Sequence, residues 1–293
     1  MSPRPSPDVA PDAPEDLSTL LRKRFGESPG IPDIPERLLH HLEMKGLAGH
    51  RSHRLFTAEE VPKALLHTVL AAAFSAPSKS DLQQSCAVHV NDPDLKGRIA
   101  ALIPSMPWIA AAPTLLVFCG DHRRLRRICE MRGIPFGNDH FDSLFNATVD
   151  AALVIAGFIR AAQAAGLGCC PLSAIRNHAS EVAELLALPD HVFPVAGMVA
   201  GWPASVRKIV PRLPLEAFVH EDRYDDGDLE GQIERYDARR HRLLPIAPER
   251  RRSLERFGEP AFYGWSEDKA RQVASSEREG FGDFLRSKGF RFD

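Results

Sequence analysis

Apolar side chains recur at helical spacing in two short stretches near the start of the chain, Leu17-Leu20-Leu21-Phe25 and Leu38-Leu39-Leu42. The spacing predicts two short helices separated by a proline-rich turn at Pro29, Pro32 and Pro35. From Gly49 an extended piece over 50–56 runs into a helix with the stripe Val61, Leu65, Leu66, Val69, Leu70 and Ala73. Thr57 and Glu60 have the spacing of a capping box, so that helix is expected to start beside them. A loop over 75–84 follows, then a strand at 86–90, a helix at 92–102 and a strand at 114–119. Residues 121–140 are charged and lack a period, which predicts an irregular excursion. Residues 143–165 are apolar nearly all round and predict a long helix buried on every side, in a large core or at a subunit interface. Gly166 supplies its stop. Beyond Gly168 the pattern gives an apolar segment ending at Arg176, a helix at 180–186 and a strand at 193–199. A helix at 229–239, an arginine-rich loop and an amphipathic helix over 266–288 complete the chain. Strands and helices mix without a strict βαβ alternation and without internal repeats, so the expected class is α+β.

Composition adds boundaries and exclusions. Residues 1–16 carry Pro3, Pro5, Pro7, Pro11 and Pro14 and almost no large apolar side chain, the composition of a disordered tail. Residues 17–48 then read as a helical extension and 49–293 as the main domain. A chain of 293 residues that is 44% hydrophobic can bury a real core. Lys+Arg is 37 against Asp+Glu 39, a net charge of -2, which argues against a nucleic-acid platform. The richest apolar stretch, 147–168, is interrupted by Asp150, Arg160 and Gln163, so no membrane span is expected. The start of the chain lacks the layout of a secretory signal. The cysteines are Cys86, Cys119, Cys129, Cys169 and Cys170, an odd set without a C-x-x-C pair. Reduced thiols in a cytoplasmic protein are the simpler reading.

Four segments offer chemistry. In Gly49-His50-Arg51-Ser52-His53-Arg54, an extended backbone turns His50, Ser52 and Arg54 to one side. A hydroxyl among guanidinium groups suits an anion, phosphate above all; the plain alternative is a solvated basic edge. His50 and His53 lack the i, i+4 spacing and the glutamate of a metal-binding helix. In the loop Ala76 to Gln84, the side chains of Ser78, Ser80 and Gln83 can bond a polar heterocycle or a ribityl chain, or simply form a turn. The glycines of Gly166-Leu167-Gly168, and of Val195 to Pro203, allow close backbone approach, and Pro211-Arg212-Leu213-Pro214 follows them. There is no G-x-G-x-x-G, P-loop or nucleophile elbow.

Taken in order, HRSHRLF, APSKSDLQ, AAGLGCCPLSAIRN, FPVAGMVAGWPA and PRLPLEAFVHEDRY, with the late YGWSEDKARQ and FLRSKGF, resemble the nitroreductase family of FMN-dependent NAD(P)H oxidoreductases. The likeness runs from Gly49 to Phe290 and is nearest to the NADPH-preferring, oxygen-insensitive nitroreductase and flavin reductase branch. It implies an α+β homodimer whose mixed sheet is flanked by helices, with the long apolar helix at the subunit interface. It implies that His50, Arg51, Ser52 and Arg54 hold FMN and that Arg212 is a second phosphate ligand. Ser78 from the facing subunit would touch the flavin with Gln83 in support, and Pro171, Leu172, Ser173 and Ala174 would lie along its ring. Ser80 and Trp108 would face the substrate, and Arg278 falls near the family's late substrate-side arginine. Arg251 and Arg252 would hold the NADPH 2′-phosphate, or form part of a solvated loop. NADPH or NADH would pass hydride to the flavin and give way to a small-molecule electron acceptor (a nitroaromatic, quinone or flavin) in a ping-pong cycle. The cofactor carries that chemistry, so no catalytic side chain, metal, nucleic acid or membrane is implied.

Two departures keep alternatives open. The branch has Lys before Pro-Arg-Leu-Pro where this chain has Val210, with Lys208 the nearest substitute. It has Gly-Gly where this chain has Ser173-Ala174. A specialised flavoenzyme of the same fold (reductive dehalogenation, flavin fragmentation or biosynthetic dehydrogenation) is the first alternative, and a non-catalytic flavin-binding protein the second.

Overall fold

The structure, a computed structural model, describes residues 15–27 and 33–293. Residues 1–14 of the expected tail, and Pro29 and Pro32 of the expected turn, lie outside the described residues. The principal helices in chain order are α1 (Leu17–Phe25), α2 (Leu42–Ala48), α3 (Lys63–Ala73), α4 (Pro93–Ala101) and α5 (Arg123–Arg132). They continue with α6 (Phe141–Ala164), α7 (Ala179–Leu185), α8 (Leu229–Leu243), α9 (Trp265–Val273) and α10 (Phe281–Ser287). The strands are β1 (Ser85–His89), β2 (Thr114–Asp121), β3 (Gly168–Leu172) and β4 (Val192–Gly201). The chain divides into two compact units. One holds the residues up to Arg51 with Lys208–Ser275, the other Ser52–Arg207 with Ser276–Asp293.

The second unit is built on a sheet in the order β1-β2-β4-β3, and the named strands pair antiparallel. A parallel element enters through the single bridge of Ser52 to Cys169. Every residue of β4 is buried and β2 is nearly so, which is why both read as unbroken apolar runs rather than as alternations. Pro194 sits in a central strand, where it has no N–H to give. The ladder accommodates it with a bulge: Phe118 pairs with Ala196 and Cys119 with Pro194, leaving Val195 as the extra residue. The carbonyl of Val195 accepts instead from Arg176.

The long helix α6 lies against β2 and α3, burying Leu144, Ala147, Ala151, Val154, Phe158 and Ala162. By length and composition it is apolar enough to cross a membrane, in spite of its polar interruptions. Within the single chain only one side of it is buried: a second row, Phe145, Val149 and Leu153, is exposed at 55%, 39% and 39%, which leaves the subunit-interface arm of the expectation for that row. The helix ends as its glycine predicts. Gly166 takes φ +80, its N–H bonds Gln163, and Leu167 N–H bonds Ala162.

In the first unit, Asp16 caps α1 by accepting from Thr19 N–H at 2.7 Å, so the tail gives way to structure at that residue. Leu17, Leu20 and Ala48 form a small core with Leu21, Ile34, Leu38 and Ile209. The second amphipathic pattern is split between a one-turn helix at Glu36–Leu39 and α2. Helix α9 begins on Gly264, which has no capping side chain; Asp237 of α8 accepts from Ser266 N–H at 2.9 Å in its place.

Three sequence expectations are corrected. No capping box forms: Thr57 Oγ1 accepts locally from Glu59 N–H at 3.4 Å, and α3 starts after Pro62. Proline disfavours helical backbone in the residue before it, so Val61 stays outside the helix. Residues 123–132 are helical, stabilised by their own turns and not by a buried stripe. The expected helix over 266–288 is broken into α9 and α10, with Arg278 at φ +64 in the gap.

Candidate functional site

Within the first unit, the side chains of Arg24, Arg51 and Arg212 are gathered on the backbone at 48–51 and 210–212. Arg24 is 6% exposed. Its fork donates to Ala48 O at 2.9 Å, His50 O at 2.7 Å and Val210 O at 2.6 Å. Arg212 Nη1 reaches the same Val210 carbonyl at 3.4 Å, and Arg212 N–H donates to Arg24 O at 2.6 Å. Arg51 Nη1 donates to Gly49 O at 2.8 Å, while its Nε is buried without a hydrogen-bond partner among the described residues. Burial, then the guanidiniums of Arg212 and Arg51, pull the Arg24 pKa down to about 10, which leaves it charged at neutral pH. Among the described residues none of the three forms an ion pair with a carboxylate. Like charges without counter-ions are costly to assemble unless an anion joins them. The donor set fits a phosphate monoester of the kind carried by FMN. Of the expected phosphate residues, Arg51 and Arg212 come together here, with His50 contributing its carbonyl to Arg24; Arg24 is an addition.

The other expected arginines of this unit, Arg251 and Arg252, are each paired with a carboxylate, Arg251 half-buried and Arg252 exposed. Arg251 pairs with Glu259 and lies over the Tyr263 ring. Arg252 Nε is 3.3 Å from Asp268, and its N–H donates to Tyr263 Oη at 2.7 Å. Buried Arg271 ties the loop from inside, donating to Arg252 O at 3.0 Å and Gly258 O at 2.8 Å. A phosphate arriving here would exchange with carboxylates that already hold both side chains.

In the second unit, His53 N–H donates to Cys169 O at 2.9 Å, which fixes the extended segment beside β3. The His53 ring covers Gly168, where a Cβ would stand 2.6 Å from it. By alternation Ser52 and Arg54 turn the other way, as their spacing predicts. Arg54 is exposed and lies 5.7 Å over Trp108. It also bonds the Cys170 thiol, opposing the rise that burial imposes on it. Thus exposed Arg54 stacks on Trp108, which is half-buried against the core. Along the adjoining Pro171 to Ala174, Pro171 and Ser173 are exposed, while Leu172 and Ala174 are buried beneath them. Arg278 Nη2 is 3.4 Å from Ser173 Oγ, so the late arginine stands beside this ledge.

The loop over 78–84 has its own anchor. Asp150, mid-helix on α6 and 2% exposed, accepts from Ser78 Oγ at 2.7 Å, Lys79 N–H at 3.0 Å and Gln84 N–H at 3.0 Å. Burial pushes its carboxyl up, but the backbone donors of Lys79 and Gln84 and the Ser78 hydroxyl outweigh this and hold it below the usual range. Ser78 Oγ in turn accepts from Gln83 N–H at 2.6 Å. Ser80, Asp81 and Gln83 all have positive φ, a strained run of non-glycine backbone that the carboxylate holds in place. The expected residues of this loop are therefore together, with Ser80 and Gln83 exposed and Ser78 occupied by the loop itself. The sequence reading passed over Arg24 and Asp150. Their signal was a charge on the buried stripe of an amphipathic helix.

The fold is that of an α+β oxidoreductase core. The sequence pattern of the Nitroreductase family matches residues 47–202, and that of the Nitroreductase family C-terminal domain matches residues 210–293. The chain belongs to the nitroreductase family. It is 36% identical over 197 residues to an FMN reductase [NAD(P)H] of Bacillus subtilis, covering 66% of this chain and 79% of that protein. It is 38% identical over 191 residues to the oxygen-insensitive NADPH nitroreductase of Salmonella typhimurium, covering 65% of this chain and 78% of that protein. Among solved structures it is similar to nitroreductase A from Vibrio parahaemolyticus. There the TM-score is 0.75 at 28% identity, over 85% of this chain and 97% of the other.

Proposed function

We propose that this chain is an FMN-dependent NAD(P)H oxidoreductase that reduces nitroaromatics, quinones or flavins by a ping-pong hydride transfer. The observation that carries this reading is the cluster of Arg51, Arg212 and Arg24, which has no carboxylate partner among the described residues and suits a phosphate monoester. The names of the Bacillus and Salmonella relatives point the same way. FMN, when bound, supplies the hydride-accepting and hydride-donating chemistry. The residues of the chain bind and orient. In this reading His50, Arg51, Ser52, Arg54 and Arg212 hold the phosphate and ribityl chain; Pro171, Leu172, Ser173 and Ala174, with Ser78 and Gln83, serve the ring. Ser80 and Trp108 face the acceptor, and Arg251 and Arg252 take the NADPH 2′-phosphate.

The assembly in this reading is a homodimer that buries the exposed row of α6 against a second copy. Residues 49–293 are the flavin domain and 17–48 an extension of it. The free thiols are in keeping with a reducing cytoplasm.

The test is steady-state turnover of FMN-loaded protein with menadione or nitrofurazone as acceptor. Parallel double-reciprocal lines are expected, with NADPH preferred to NADH. Arg252→Ala should raise the KM for NADPH about tenfold and leave that for NADH unchanged. Turnover no faster than with free FMN contradicts the reading.

A further inference from the structure

Helix α1 lies before the region matched by the family patterns, which begins at residue 47, yet it places Arg24 among the proposed phosphate ligands. We propose that Arg24 is a positioning residue for the flavin phosphate: its guanidinium ties the backbone at 48–50 to Val210 and adds a third positive charge beside Arg51 and Arg212. The inference rests on the FMN reading above and deepens it.

The geometry is specific. One planar fork bridges three carbonyls from two segments far apart in sequence, Ala48, His50 and Val210. A lysine, as a point donor, cannot bridge all three in this way. Carbonyls alone do not neutralise a guanidinium. Arg24 nevertheless stays buried beside two more, and no carboxylate pairs with it among the described residues. Val210 is apolar, so its place in the loop offers the phosphate site only a backbone carbonyl. The side chain that meets its backbone, together with Arg212, is Arg24. The extension therefore adds a second guanidinium beside that of Arg212 at this carbonyl. A purely structural arginine in a small core would be expected to have an acidic partner, because a single unpaired charge is expensive to bury.

The probes are FMN and riboflavin, which share ring and ribityl chain and differ only in the phosphate. Both are titrated into the full-length apoprotein and followed by quenching of flavin fluorescence, at two salt concentrations. Arg24→Met should weaken FMN about tenfold, leave riboflavin within twofold, and flatten the salt dependence of FMN binding. Arg24→Lys, which keeps the charge and much of the packing, should lose about threefold for FMN alone. If Arg24→Met does not fold, as judged by a cooperative melt, the Lys variant decides by the same ratio. An FMN-to-riboflavin preference equal to that of the unmodified protein overturns the proposal, as does a parallel loss for both flavins. Arg212→Ala separates the two levels. If the unmodified protein prefers FMN and Arg212→Ala abolishes that preference, the FMN reading stands whatever Arg24 does. If the unmodified protein does not distinguish FMN from riboflavin, the FMN reading itself fails.

Discussion

Asp150 holds a loop of strained backbone by accepting from two N–H groups and a hydroxyl while out of reach of water. A hydrogen bond to a charged group is worth about 1.5–3 kcal/mol, and stranding the donors costs as much again. Asp150→Asn turns one acceptor into a donor facing donors, and should lower stability by about 2 kcal/mol at neutral pH. The pH dependence has a definite sign. The folded carboxyl titrates below its ordinary value, so its contribution is complete above about pH 4 and is lost as the pH falls through the depressed value. Denaturant midpoints of the two proteins should therefore stay apart from pH 7 to about pH 4 and converge below it. A gap that stays constant into the acid range would show that the ionised carboxylate is not what holds the loop. In the sequence Asp150 registers only as an interruption of an apolar helix, and Arg24 draws no attention beside the apolar stripe of α1. Arg24 is held by backbone carbonyls and Asp150 by two backbone N–H groups and the distant Ser78 hydroxyl, and such partners leave no trace in local side-chain spacing.

At the scale of elements, period and punctuation told most of the story. The glycine stop of α6, the helix α4 and the two apolar central strands lie where the pattern puts them. The failures have separate causes. Pro62 overrode a capping box that was correct in spacing alone. In α5, helical spacing was hidden because the helix buries no residue. Helix α6 is a different case: its all-round apolar character predicts burial in a core or at a subunit interface, and within the chain one row is buried and the other exposed. The homodimer reading assigns that outer row to a second copy. Leu153→Arg places a charge in it without touching the buried row, and should shift the protein from dimer to monomer in sedimentation velocity at micromolar concentration. A dimer of unchanged stability would assign the row to another purpose.

For the molecule as a whole, the α+β class and the family were legible because five motifs keep their order along the chain. The division into two units was not legible: each is assembled from segments far apart in sequence, and local patterns carry no information about which segments meet. The ordering of the arginine loop around Arg271 escaped for the same reason. The central claim is that this chain turns over a bound flavin at the expense of a nicotinamide. The most direct test loads the protein with FMN, mixes it anaerobically with NADPH and separately with NADH, and follows the absorbance band of the oxidised flavin. The account predicts rapid bleaching by NADPH and slower bleaching by NADH. Bound FMN that neither nicotinamide bleaches would contradict it.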